Sequence, residues 1–229
     1  MNVDALTSEA GASLVAQADA AKAVDMGAYM KTEMPFYGVQ MKGIDATLKV
    51  VAAAHKPESD ADYRAAVLAL WKQPHREEKH LAIRYARRFS TYISMENLDV
   101  YRILIVEGAW WDLVDDVASN LVGTVLRNER NLCTPVLRTW IGSDDLWLRR
   151  TSIITQLRHG ADTDVALLGD ACIANMAETD FFLRKAIGWA LREYAKTNPE
   201  WVIAFVTRHR TEMAPLSIRE ATKHLPSSP

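Results

Sequence analysis

The chain has 229 residues, 49% apolar and 24% charged, which excludes a disordered or low-complexity protein and suffices for a sizeable core. A formal net charge of −2 excludes a wholesale electrostatic pull toward nucleic acid, so any basic footprint has to be local. No apolar run approaches the roughly 18 residues of a membrane span. The N-terminus, with Asp4 and Glu9, has no signal-peptide pattern, so a cytoplasmic chain without membrane contact is expected.

Helical periodicity runs through nearly every segment. Ten glycines and eight prolines are scattered as punctuation, and no Asn-Gly or Asp-Gly turn joins alternating runs, so the chain is predicted to be all-α. Residues 1–25 are Ala-rich and carry the least distinctive pattern. Helix starts are signalled by Ser59–Asp60 before ADYRAAVLALW, by Ser94 before MENLDVYRILIV and by Ser143–Asp144 before DLWLRR. Asn198-Pro199-Glu200 supplies a cap, a proline at the first helical position and an early acid, while Ser217-Ile-Arg-Glu220 spells a capping box. Cys133 and Cys172 lie in apolar surroundings without CxxC or Cys/His spacing, and read as buried thiols in a reducing compartment. His75 and His80 fit no HExxH pattern, so neither a metal nor a cofactor is expected.

Similar stretches recur at about 36 residues. HREEKHLAI begins at His75, WDLVDDVAS at Trp111, WLRRTSII at Trp147, FLRKAIGW at Phe182 and SIREATKHL at Ser217. A repeated helix pair that cannot bury its apolar face alone predicts a HEAT-like α-solenoid with a concave basic groove. It would form one domain over residues 1–229, with 226–229 as a short tail.

On a helical wheel, Trp110, Val114, Val117 and Leu121 make one apolar stripe assigned to the core. Trp111 and Asp115, four residues apart, share its flank, and Asp112 and Asp116 project to a more polar side. Taken alone, the pair reads first as a packing tryptophan beside a solvated acid, with a site as the alternative. In FFLRKAIGWALREYAKTNP, Leu183, Ile187, Ala190, Leu191 and Tyr194 form the apolar face, with Trp189 nearly opposite, flanked by Lys185 and Arg192. That arrangement suits packing against the next repeat, and equally suits nucleic acid, where cations meet phosphate and an aromatic face meets sugar or base. Arg149 and Arg150 fall one repeat before Arg184 and Lys185, so these cations form a ladder that Arg76, Arg127, Arg130 and Lys223 would extend. The alternative is that they are solvated or paired with nearby acids.

These stretches resemble the DNA alkylation repair family of HEAT-like repeat DNA glycosylases, the AlkD type. The likeness runs from about Tyr29 to His224. It is carried by YMK at Tyr29–Lys31, FYGVQ (36–40), LWKQPHREEKHLAI (70–83), AWWDLVDDV (109–117), SDDLWLRRTSI (143–153), FFLRKAIGWALREYAKTNP (181–199) and APLSIREATKHL (214–225). The resemblance implies Asp115, Trp111 and Trp189 as catalytic residues. It implies DNA contacts from Tyr29 and from Arg150, the arginine of the WLxR motif, which would hold a phosphate; Arg149, Arg184 and Lys185 join them through the ladder. The implied activity is monofunctional hydrolysis of the N-glycosidic bond of cationic alkylated purines in double-stranded DNA. N3-methyladenine, N7-methylguanine and bulkier adducts would be substrates, attacked without base flipping to leave an abasic site. No metal or cofactor is implied, and a monomer associated with the bacterial nucleoid when bound to DNA is expected. A non-catalytic DNA-structure binder and a protein-interaction solenoid stand as alternatives on the same scaffold.

Overall fold

The computed structural model describes residues 1–225, and every regular element among them is helical. The expected tail at 226–229 lies outside the described residues. The helices fall into two compact units, Met1–Ile93 and Ser94 onward.

The first unit contains α1 (Val3–Val15), α2 (Ala20–Met30), α3 (Met41–Ala54), α4 (Asp60–Trp71) and α5 (Arg76–Arg88). Leu6, Ala10 and Leu14 recur at helical spacing on α1 and are fully buried, which seats the indistinct N-terminal segment against α3 and α4. The α5 core residues Leu81, Ile83 and Tyr85 are also fully buried. Between α2 and α3 the FYGVQ loop is pinned by buried Glu77, which accepts from the N–H groups of Tyr37 (3.1 Å), Gly38 (2.8 Å) and Val39 (3.0 Å). Gly38 sits at φ +84, and a Cβ there would stand 2.0 Å from the Asp19 carbonyl oxygen. Glu78 caps α5 by accepting from the His75 N–H at 2.8 Å and from the Tyr37 hydroxyl at 3.0 Å. Two stretches far apart in sequence, FYGVQ and HREE, are thus one interlocked structure.

The second unit contains α6 (Leu98–Gly108), α7 (Trp111–Asp116), a π-helical turn (Val117–Val122), α8 (Gly123–Asn128), α9 (Arg130–Ile141), α10 (Leu146–Ile154), α11 (Val165–Asn175), α12 (Phe181–Tyr194), α13 (Pro199–Arg208) and α14 (Pro215–Thr222). The later helix of each pair begins at Arg76, Trp111, Leu146, Phe181 and Pro215, so the repeat is realised at 34 or 35 residues. Within this unit α10 packs against α9, α11 and α12, and α12 against α13 and α14. The fold is an all-α helical repeat.

Several starts follow the expected chemistry. Ser59 accepts from the Asp62 N–H, and Asn198 from the Trp201 N–H ahead of Pro199. Others are displaced. Ser94 precedes a short 3-10 turn, and α6 begins only at Leu98. Asp145, not Ser143–Asp144, caps α10. The Ser217–Glu220 capping box does not form, because Pro215 already opens α14; both side chains turn instead to α12. Cys133 and Cys172 are buried, and burial pushes both thiols up to about 12. No helix among the described residues is long and apolar enough to cross a membrane.

Candidate active site

The AWWDLVDD stretch is divided by a helix boundary. Ala109 takes a left-handed conformation (φ 38) that ends α6, and Trp110 is extended at the N-cap of α7. Trp110 therefore does not join the buried stripe of Val114, Val117 and Leu121 as expected; it is half-buried. Its ring meets Phe182 at 5.3 Å and Trp147 at 6.2 Å, and those two rings are 5.1 Å apart. One aromatic residue from each of three successive repeats makes this cluster.

Trp111 opens α7 and is 37% exposed, while Asp115, one turn later, keeps only 15% of its side chain exposed. Behind Asp115 the helix widens into the π-turn. Ser119 Oγ donates to the Asp115 carbonyl at 2.7 Å, and Asn120 Nδ2 donates to the Asp116 carbonyl at 3.1 Å and its carboxylate at 2.7 Å. Such side-chain donors compete with the backbone ladder, and a π-turn is a frequent companion of functional sites. Gly123 closes the turn where a Cβ would stand 2.5 Å from the Thr155 carbonyl oxygen, so α10 and its extension approach without a side chain intervening.

Asp115 is held by Arg150 of α10. The guanidinium Nε donates to Oδ1 at 2.7 Å and Nη2 to Oδ2 at 2.8 Å, a bidentate fork, while Nη1 donates to the Phe182 carbonyl at 2.5 Å. Arg150 thereby ties α7, α10 and the start of α12 together. Only 4% of its side chain is exposed, and its fork is engaged by Asp115 rather than turned to solvent. Burial pushes the Asp115 carboxyl above its usual range; Arg150 opposes that shift, and Asp112 and Asp116 add to it. The arrangement offers an enclosed carboxylate with both oxygens oriented, next to an exposed indole.

Trp189 is half-buried on α12, seven residues beyond Phe182 and so on the same side of the helix. Lys185 and Arg192 flank it, and both pair with Glu220 of α14 at 2.9 Å and 2.6 Å. The expected ladder is likewise partnered: Arg149 pairs with Glu178 at 2.6 Å, and Arg184 Nε donates to the Glu178 carbonyl at 2.8 Å. Of its extensions, Arg76 is 2% exposed and faces no solvent; Arg127 and Arg130 donate to the Arg158 and Asp162 carbonyls; Lys223 is exposed. Tyr29, in the first unit, stands 75% exposed near the end of α2. Glu178 is a group that sequence reading passed over, and Glu220, read there as a capping-box acid, serves these cations instead. Glu220 stands one repeat, 35 residues, after Lys185, a spacing that could have pointed to the pair; Glu178 lies 29 residues after Arg149 and carries no such signal. Among the described residues no group of three His, Cys, Asp or Glu side chains is disposed to hold a metal.

The family model for the DNA alkylation repair enzyme matches residues 10–225. The solved structure of a "predicted DNA alkylation repair enzyme" from Enterococcus faecalis is similar at a TM-score of 0.85, with 27% identity over 92% of this chain and 98% of that one. No curated protein matches.

Proposed function

The chain belongs to the DNA alkylation repair enzyme family, and on that premise we propose that it is a monofunctional glycosylase that hydrolyses cationic alkylated purines from duplex DNA. Alkylation at N3 of adenine or N7 of guanine leaves positive charge on the base. When the C1′–N bond breaks, its electron pair goes to the base, which departs neutral without a proton from the enzyme. The positive charge passes to C1′ and the ring oxygen, water adds to C1′ and loses a proton, and an abasic sugar remains.

Asp115 suits that step as the group that stabilises the cationic sugar and orients the water. Arg150 is its positioning residue, since the fork leaves each carboxylate oxygen a lone pair directed away from the guanidinium. Trp111 and Trp189 present π-faces to the cationic nucleotide, each contributing about 0.5–2 kcal/mol. The exposure of Trp111 suits a lesion met at the surface of the duplex rather than extruded into a pocket, which admits bulkier adducts. Tyr29, Arg149, Arg184 and Lys185 contact the backbone; Arg149 and Arg184 exchange their present partners for phosphate, whereas Lys185 keeps Glu220 and adds phosphate through its remaining N–H donors. The whole chain acts as one HEAT-like domain and as a monomer on chromosomal DNA.

The observation that carries this reading is the enclosed, bidentate Asp115–Arg150 pair beside exposed Trp111. Globally methylated duplex should release N3-methyladenine and N7-methylguanine with the wild-type protein. Asp115→Asn should lower release about 100-fold or more, with affinity for unmodified duplex retained. Equal release by both proteins, or none by either, overturns the mechanism.

A further inference from the structure

Glu220 has no part in the reaction above, yet the α12–α14 contact is built to deliver it. At Gly188 a Cβ would stand 2.4 Å from Glu220 Cβ and 2.9 Å from the Ser217 carbonyl oxygen, so the two helices touch there without a side chain between them. Ser217 Oγ locks the register by donating to the Arg184 carbonyl at 2.8 Å. The Glu220 side chain, 13% exposed, is thereby placed between Lys185 Nζ at 2.9 Å and Arg192 Nη1 at 2.6 Å. Those cations lie four residues before and three residues after Trp189, the neighbours that share its side of the helix.

On the alkylpurine reading, Trp189 has to accept a ring that carries positive charge. A π-face attracts a cation only modestly, and two full positive charges at neighbour distance oppose it more strongly than the ring attracts. The same two charges would favour any duplex, damaged or not, through its phosphates. We propose that Glu220 is a specificity-determining residue, which holds Lys185 and Arg192 together and reduces the charge flanking Trp189 from two to one, so that a cationic nucleobase is admitted. This rests on the reading of the site as one for alkylated purines. The two cations hold the Glu220 carboxyl below its usual range, so it stays ionised at neutral pH.

The test uses the full chain, as wild type, Glu220→Gln and the double variant Lys185→Gln/Glu220→Gln. Binding is measured to three duplexes: unmodified, carrying 7-methylguanine, and carrying its uncharged 7-deaza-7-methylguanine isostere. Both modified nucleotides have 2′-fluoro sugars that resist cleavage, and base release from methylated DNA is followed in parallel. Wild type should prefer the cationic duplex over the isostere. Glu220→Gln should lose about tenfold of that preference while binding unmodified duplex more tightly. The double variant should regain the preference because the flanking charge returns to one. An unchanged preference in Glu220→Gln overturns the proposal, as does a loss that the second substitution leaves uncorrected, which marks a packing role. Release by wild type with an unchanged ratio removes only the role of Glu220; absence of release by wild type removes the alkylpurine reading as well.

Discussion

At Asp115 opposing effects meet on one carboxyl. Burial and the neighbouring Asp112 and Asp116 favour the protonated form, Arg150 favours the ionised form, and the balance lies upward. Only the ionised form stabilises a cationic sugar. Activity should therefore rise with pH, with the midpoint of its acid limb above the ordinary carboxylate value of about 4. Arg150→Gln removes the charge that opposes burial and should move that midpoint further up, at reduced activity. Asp112→Asn removes one repelling charge and should move it down. Profiles of kcat/KM against pH for the three proteins check both directions; a limb that neither substitution moves would assign the ionisation to another group. That Trp111 and Asp115 lie one turn apart on the same helix was legible in the sequence because it is local. What holds Asp115 was not, since it comes from a helix one repeat later. Nothing in WLRR distinguishes inward-facing Arg150 from Arg149, which turns to Glu178.

At the level of elements, the two helices that carry the site cations start in the same way. Asp145 accepts from the N–H groups of Trp147 and Leu148, both at 2.9 Å, and Asp180 accepts from Phe182 at 2.7 Å and Leu183 at 3.2 Å. The Asp180 cap fixes the turn whose Phe182 carbonyl receives Arg150. Asp180→Ala should lower stability by about 1 kcal/mol and Tm by about 2–4 °C. It should also reduce base release, because the guanidinium loses a fixed anchor. Thermal unfolding with parallel release assays checks this, and a lowered Tm with unchanged release would show that the Phe182 contact is dispensable. Caps of this kind are short-range, which is why helix starts and the repeat period were legible to within a few residues. At the end of the chain, where the spelled cap did not form, its side chains have tertiary partners. Ser217 and Glu220 bond to α12 rather than to their own helix end. The π-turn arises where Ser119 and Asn120 take carbonyls from the ladder, and a wheel drawn on a continuous helix assumes it away.

For the molecule as a whole, the balance of charge matters more than its amount. A chain of formal charge −2 offers DNA only segregated cations, and those nearest the candidate site already have protein partners. Binding a phosphate at Arg149, Arg184, Lys185 or Arg192 means releasing or sharing a carboxylate or a carbonyl, so each contact yields less than it would from an unengaged side chain. Affinity for unmodified duplex should accordingly sit in the non-specific range, with Kd of about 10⁻⁴–10⁻⁶ M at physiological salt. The dependence of log K on log salt should be no steeper than about −4, roughly −0.9 for each of those four cations. Tyr29→Ala should weaken binding without changing that slope, since an uncharged side chain releases no counterion. Titrations of wild type, Tyr29→Ala and Lys185→Gln across a salt series separate these contributions. A slope near zero would remove phosphate contact from the account, whereas a slope much steeper than −4 would mean that cations elsewhere on the chain carry the duplex.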